Sequence, residues 1–87
     1  MELEERIQAL QHALRQNEAA VLTEYSHRVF LLKFPSSAGV IFLTRKNRYF
    51  LVDFRYIEMA GRIQNGFQVI LQQNLKEQLQ DLLAANQ

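Results

Sequence analysis

Apolar and polar positions along the chain fall into two regimes. Near the start, Leu3, Ile7, Leu10 and Leu14 recur three and four apart with Glu and Gln between them, which predicts an amphipathic helix over residues 3–15, stopped near Asn17. In the middle, Val40-Ile41-Phe42-Leu43 and Tyr49-Phe50-Leu51-Val52 are unbroken apolar runs. A sheet with one wet face would alternate, so both runs predict strands covered on two sides. The few polar residues between them, Arg45-Lys46-Asn47, are too short for a crossover helix. The pair is therefore an antiparallel hairpin with a solvated tip.

The remaining pattern fits around that hairpin. Ala19-Ala20-Val21-Leu22-Thr23 reads as a short buried strand. Residues 26–32 read as a short helix whose apolar end docks under the sheet while His27 and Arg28 face outward. A loop with the sole proline follows over residues 34–39. Asp53 is placed to N-cap a helix through residue 64, with Tyr56, Met59, Ala60 and Ile63 as its buried face and Asn65-Gly66 as its end. Residues 67–71 read as the next strand. Asn74 with Glu77 three residues on resembles a capping box, and Leu75, Leu79, Leu82 and Leu83 line one face of a last helix. This order predicts an α/β domain: a mixed sheet of four or more strands with helices on both faces. The first helix stripe lasts under two heptads, so packing on the domain's own sheet is favoured over a coiled coil.

Composition sharpens the class. At 87 residues and 48% hydrophobic, with six Phe and three Tyr, the chain is one small folded domain. The absence of cysteine excludes disulfides and thiolate metal sites. The acidic start lacks a signal pattern, and no apolar run approaches a membrane span, so a cytoplasmic protein without membrane contact is expected. Net charge is +1, yet Arg28, Lys33, Arg45, Lys46, Arg48, Arg55 and Arg62 face only Asp53 and Glu58 in the central stretch. The aromatics interleaved there belong to buried strands, and the charges cluster at a turn tip. A solvated charge run is thus favoured over a nucleic-acid surface, and no nucleic-acid partner is expected.

The sequence also resembles a known family. Phe30-Leu31-Leu32-Lys33-Phe34, then Ser36-Ser37-Ala38-Gly39, two strands, and Asp53-Phe54-Arg55-Tyr56 with a helix behind it look like the amino-terminal domain of the creatinase, prolidase and aminopeptidase P group. Lys33, Ser36 and Phe54 stand where that family usually has glycine, and His27 where Asn is common. The resemblance implies a creatinase/prolidase N-terminal domain-like fold spanning residues 1–87, covering most of one domain and truncated at its carboxyl end. The implied parent is an Xaa-Pro dipeptidase or aminopeptidase P-like metallopeptidase, its two divalent ions (Mn, Co or Zn) held by Asp, His and Glu of a separate carboxyl-terminal catalytic domain. No cofactor is implied in this chain, and the chain alone is expected to be inactive. Its implied partners are that catalytic domain and a second copy in a homodimer. Its implied role is to help form the dimer and shape substrate access, through Phe34, Ser37, Gly39, Asp53, Arg55 and Tyr56.

Chemistry within the chain itself is sparse. His12 and His27 lie on separate helices without a carboxylate cluster, so surface side chains are favoured over metal ligands. Ser36, Ser37, His27 and Asp53 lack the strained strand-to-helix elbow of a nucleophile triad. Ser37-Ala38-Gly39 could cradle an anion, but a strand rather than a helix N-terminus follows it. Asp53 and Arg55 read either as part of an interface or as a cap plus an Arg55 pairing with Glu58 on the same helix. A competing reading makes the whole chain a free-standing protein-interaction module.

Overall fold

The computed structural model describes residues 3–24, 28, 39–61 and 66–86. Their elements are α1 (Leu3–His12), β1 (Ala19–Leu22), β2 (Val40–Thr44), β3 (Arg48–Val52), α2 (Ile57–Ala60), β4 (Gln68–Leu71) and α3 (Leu75–Ala85). The four strands form one sheet in the order β1-β2-β3-β4. The β1–β2 and β2–β3 pairs are antiparallel and β3–β4 is parallel. The short helix expected over residues 26–32, and with it His27, lies outside the described residues except for Arg28.

The central hairpin has the predicted form: all of β2 is buried, and of β3 only Arg48 is not. Pleating divides the apolar residues between two cores. Ile41, Leu43, Phe50 and Val52 meet Ile7 of α1, Ala60 of α2 and Phe67 on one face. On the other, Val40, Phe42, Tyr49 and Leu51 are covered by Leu75, Leu79, Leu82 and Leu83 of α3. The mixed sheet with helices on both faces is the architecture expected. α3 begins as predicted, with the Asn74 side chain accepting from the Glu77 N–H at 3.2 Å. Gln78 supplies the return contact, its Oε1 accepting from Gln73 N–H and its Nε2 donating to Leu71 O.

Several expectations fail for identifiable reasons. Leu10 is 43% exposed, while Gln11 is buried at 5%. The buried line of α1 follows Ile7 and Gln11 because Gln11 has polar work to do at the hairpin turn. Its Nε2 donates to Thr44 O at 3.0 Å and Asn47 O at 3.1 Å, and its Oε1 accepts from Arg48 Nε at 2.8 Å. Arg48 is therefore not part of a solvated tip. Its side chain is 12% exposed and forks onto the Glu4 carboxylate, with Nη1 2.8 Å from Oε1 and Nη2 pairing with Oε2.

From the opposite layer, Asn86 at the end of α3 accepts from the Thr44 hydroxyl at 3.2 Å and from Asn47 Nδ2. It also donates to Tyr49 Oη at 3.0 Å. The turn is thus gripped from both helical layers, and only Arg45 and Lys46 protrude between Thr44 and Asn47.

Removing the Gln11 amide strands the buried Thr44 carbonyl, takes one of two donors from the Asn47 carbonyl and removes the acceptor of one guanidinium N–H. Gln11→Ala is expected to lower unfolding stability by about 1–3 kcal/mol, read from urea melts, whereas Leu10→Ala should change it far less. The Arg48 guanidinium also holds the Glu4 carboxyl below its ordinary value of 4.5. A carboxyl lowered by folding contributes stability that is present above that ordinary value and lost as pH falls through the folded one. Acid titration of stability should accordingly show a loss below about pH 4.5 that is smaller in Glu4→Gln.

Candidate functional site

β2 enters the sheet and β3 leaves it at the same end, opposite the hairpin turn, and this end gathers the described residues that the sequence singled out. Gly39 stands just before β2 and Asp53 just after β3. Phe34 and Ser37 lie outside the described residues.

Gly39 has φ +143°, a conformation that L side chains rarely adopt. A Cβ there would sit 2.9 Å from the ring of Phe50, which is fully buried and has nowhere to move. The same crowding brings its carbonyl to Arg28, whose Nη1 donates to Gly39 O at 3.1 Å and Thr23 O at 2.7 Å. Arg28 is 3% exposed rather than facing outward. It joins the exit of β1 to the entry of β2, and two carbonyls at strand ends are the partners that make its burial tolerable. Gly39 is thus accounted for by packing and backbone conformation.

Asp53, Arg55 and Tyr56 form one cluster. Asp53 does not cap a helix: α2 starts at Ile57 with Tyr56 as its N-cap residue and no side-chain cap bond. Asp53 instead closes a turn, its carbonyl accepting from Tyr56 N–H at 3.1 Å and its Oδ1 from Arg55 N–H at 2.9 Å. With the backbone wrapped this way, Arg55 folds back onto Asp53, Nη2 to Oδ2 at 2.7 Å, rather than reaching Glu58. Hydrogen bonding to Arg55 holds the Asp53 carboxyl below its ordinary range, and Asp53 raises the already high value of Arg55. The guanidinium also lies over the Tyr56 ring at 5.4 Å from its centroid. Phe54, at the tip of this turn, is 77% exposed. Met59, expected in the buried face of the helix, is 56% exposed, and Ala60 is the α2 residue driven fully inside. Ile63 lies outside the described residues.

The result is an exposed knuckle: a salt bridge stacked on one aromatic ring, with the Phe54 ring beside it in solvent. It can recognise a surface, but it holds no nucleophile with an adjacent base. Among the described residues no group of three or more His, Cys, Asp or Glu is placed to hold a metal ion. Nor is any described helix long and apolar enough to cross a membrane. Sequence reasoning missed Gln11, Asn86 and the burial of Arg28. The one available signal was Gln11 standing four residues after Ile7.

The comparisons with known proteins bear on the whole domain. The Creatinase/Prolidase N-terminal domain family profile matches residues 6–87. An Xaa-Pro aminopeptidase from Streptococcus pyogenes superimposes with a TM-score of 0.81 at 28% identity over 95% of this chain and 66% of that one. The aminopeptidase P of Streptococcus thermophilus does so at 0.79 and 25% identity, over 95% and 64%. An Xaa-Pro dipeptidase from Bacillus anthracis gives 0.77 and 25% identity, over 93% of this chain but 25% of that one. The chain thus spans less than two thirds of each of these structures. No curated protein matches it. With the profile running through every strand of the sheet, the chain belongs to the creatinase/prolidase N-terminal domain family.

Proposed function

We propose that this chain serves as the non-catalytic amino-terminal domain of an Xaa-Pro dipeptidase or aminopeptidase P-like metallopeptidase. It packs on the catalytic domain of the same polypeptide, contributes to a homodimer and helps govern which substrates reach the active site. The observation that carries this reading is the fold match over 95% of the chain to two proteins described as Xaa-Pro aminopeptidases. The donor set supports a division of labour. Two divalent ions need several carboxylates and a histidine brought together, and the described residues do not supply them. In this reading the metal centre, whether Mn, Co or Zn, belongs to the catalytic domain.

The knuckle of Asp53, Arg55 and Tyr56 is the proposed contact with that domain or with the second subunit. Its salt bridge and ring stack already favour one arrangement of these side chains, which reduces the conformational freedom lost on docking. Phe54, where the family usually has glycine, adds an exposed ring to the same face. Among the described residues no strand lies outside β1 or β4, and these edges are where a second copy would pair.

The purified chain, given excess Mn²⁺, Co²⁺ or Zn²⁺, is expected to bind no stoichiometric metal, to leave an Xaa-Pro dipeptide uncleaved and to sediment as a dimer. Stoichiometric metal with turnover would overturn the accessory role, and a monomer at all concentrations the dimerisation. In the full-length peptidase, Arg55→Ala should raise kcat/KM for tetrapeptides relative to dipeptides severalfold without altering metal content. An unchanged length preference would remove Arg55 from substrate access.

A further inference from the structure

We infer that the chain carries a binding site for a small phosphoryl anion between α1 and the hairpin turn, away from the knuckle. A cavity of about 350 Å³ opens there, walled by Gln8 and His12 of α1, Arg45 and Lys46 of the turn, and Gln68 at the start of β4. Among the described residues no carboxylate lines it, and Glu4, bonded to the lining residues Arg48 and Gln8, is already paired. Its walls are amides, cations and an imidazole, whereas pockets for apolar ligands are lined mainly by hydrophobic groups. The charge inside is not already matched. Arg48 also borders the cavity, but its guanidinium is committed to Glu4 and Gln11. Arg45 and Lys46 form no ion pair among the described residues. Arg45 places one Nη1–H on Leu14 O at 3.2 Å, which steadies its stem and leaves other N–H groups for a ligand.

Arg45 and Lys46 also border a second depression beside Asn86, and turned to this cavity their like charges sum their fields, so an anion gains more there than beside either charge on a convex surface. The several N–H donors of Arg45 and Lys46, together with the amides, exceed what a single carboxylate can accept and suit the three oxygens of a phosphoryl group. A nucleic-acid strand is the poorer fit. Phe42 and Tyr49, the aromatics nearest in sequence, are buried in the sheet and cannot stack on bases.

The test is titration of the full chain with inorganic phosphate and, separately, with glycerol 3-phosphate, followed by amide chemical shifts at constant ionic strength set with chloride. Expected are saturable shifts confined to residues 8–12 of α1, the 45–47 turn, Gly66 and Gln68. Lys46→Ala, which removes no side-chain hydrogen bond among the described residues, should weaken binding about fivefold to tenfold. Lys76→Ala, on α3, should leave it unchanged. Tighter binding of the ester than of inorganic phosphate would assign the site to a phosphate ester, and the reverse order to the free ion. Shifts spread over all basic residues, or equally produced by chloride, would overturn the proposal. So would an oligonucleotide that binds more tightly than phosphate with a steep salt dependence.

Discussion

Two adjacent strands with no solvent-facing side set the terms for everything else in this domain. β2 and β3 bury nearly every side chain, so each face of the hairpin needs its own helical cover. Apolar residues satisfy that demand without direction, but the turn joining the strands cannot be apolar. Its carbonyls and N–H groups emerge between two helical layers where water is partly excluded, and each must find a partner inside the protein. The N–H groups of Thr44 and Asn47 are met within the turn, Gln11 donates to the Thr44 and Asn47 carbonyls from one layer, and Asn86 binds the Thr44 and Asn47 side chains from the other. A lost hydrogen bond of this kind costs on the order of 1 kcal/mol or more, which is a large share of what a domain this small has to spare.

That arrangement also marks the boundary of what could be read from the residues alone. The hairpin, the four strands, the cap of α3 and the leucine face above the sheet all follow from local patterns: continuous apolar runs, an Asn before a helix, leucines three and four apart. Gln11 does not. Leu10 and Gln11 follow Ile7 by three and four residues and flank its line on the helix about 100° apart, and hydrophobicity favours Leu10. Only after folding do Thr44 and Asn47, more than 30 positions away, make the amide the better occupant. Arg28 and Arg48 mislead in the same way. Each looks like a surface cation until strand ends or a distant Glu4 supply its partners.

At the exposed end of the sheet the motif Asp53-Phe54-Arg55-Tyr56 was legible as a group, but its internal bonding was not. The expected pairing of Arg55 with Glu58 presumes that both residues already lie on a helix. The tight turn closed by the Asp53 carbonyl delays the helix to Ile57 and leaves Arg55 outside it, next to Asp53. With the helix so short, Met59 falls on the solvent side and Ala60 takes the buried place. Gly39 is a related case. The resemblance marks it as part of an interface, while its positive φ and the Phe50 ring beside it are sufficient reason for a glycine there.

The phenol of Tyr49 gives the protein a built-in optical probe. The chain has no tryptophan and three tyrosines, so its near-ultraviolet emission belongs to few rings. Tyr49 is 8% exposed, its ring lies 6.0 Å from that of Phe42, and its hydroxyl is held by Asn86 at the last turn of α3. Undocking of that helix would release the hydroxyl and wet the ring while the far side of the sheet stayed packed under α1. Tyrosine emission therefore distinguishes loosening of one layer from collapse of the whole, with no label added.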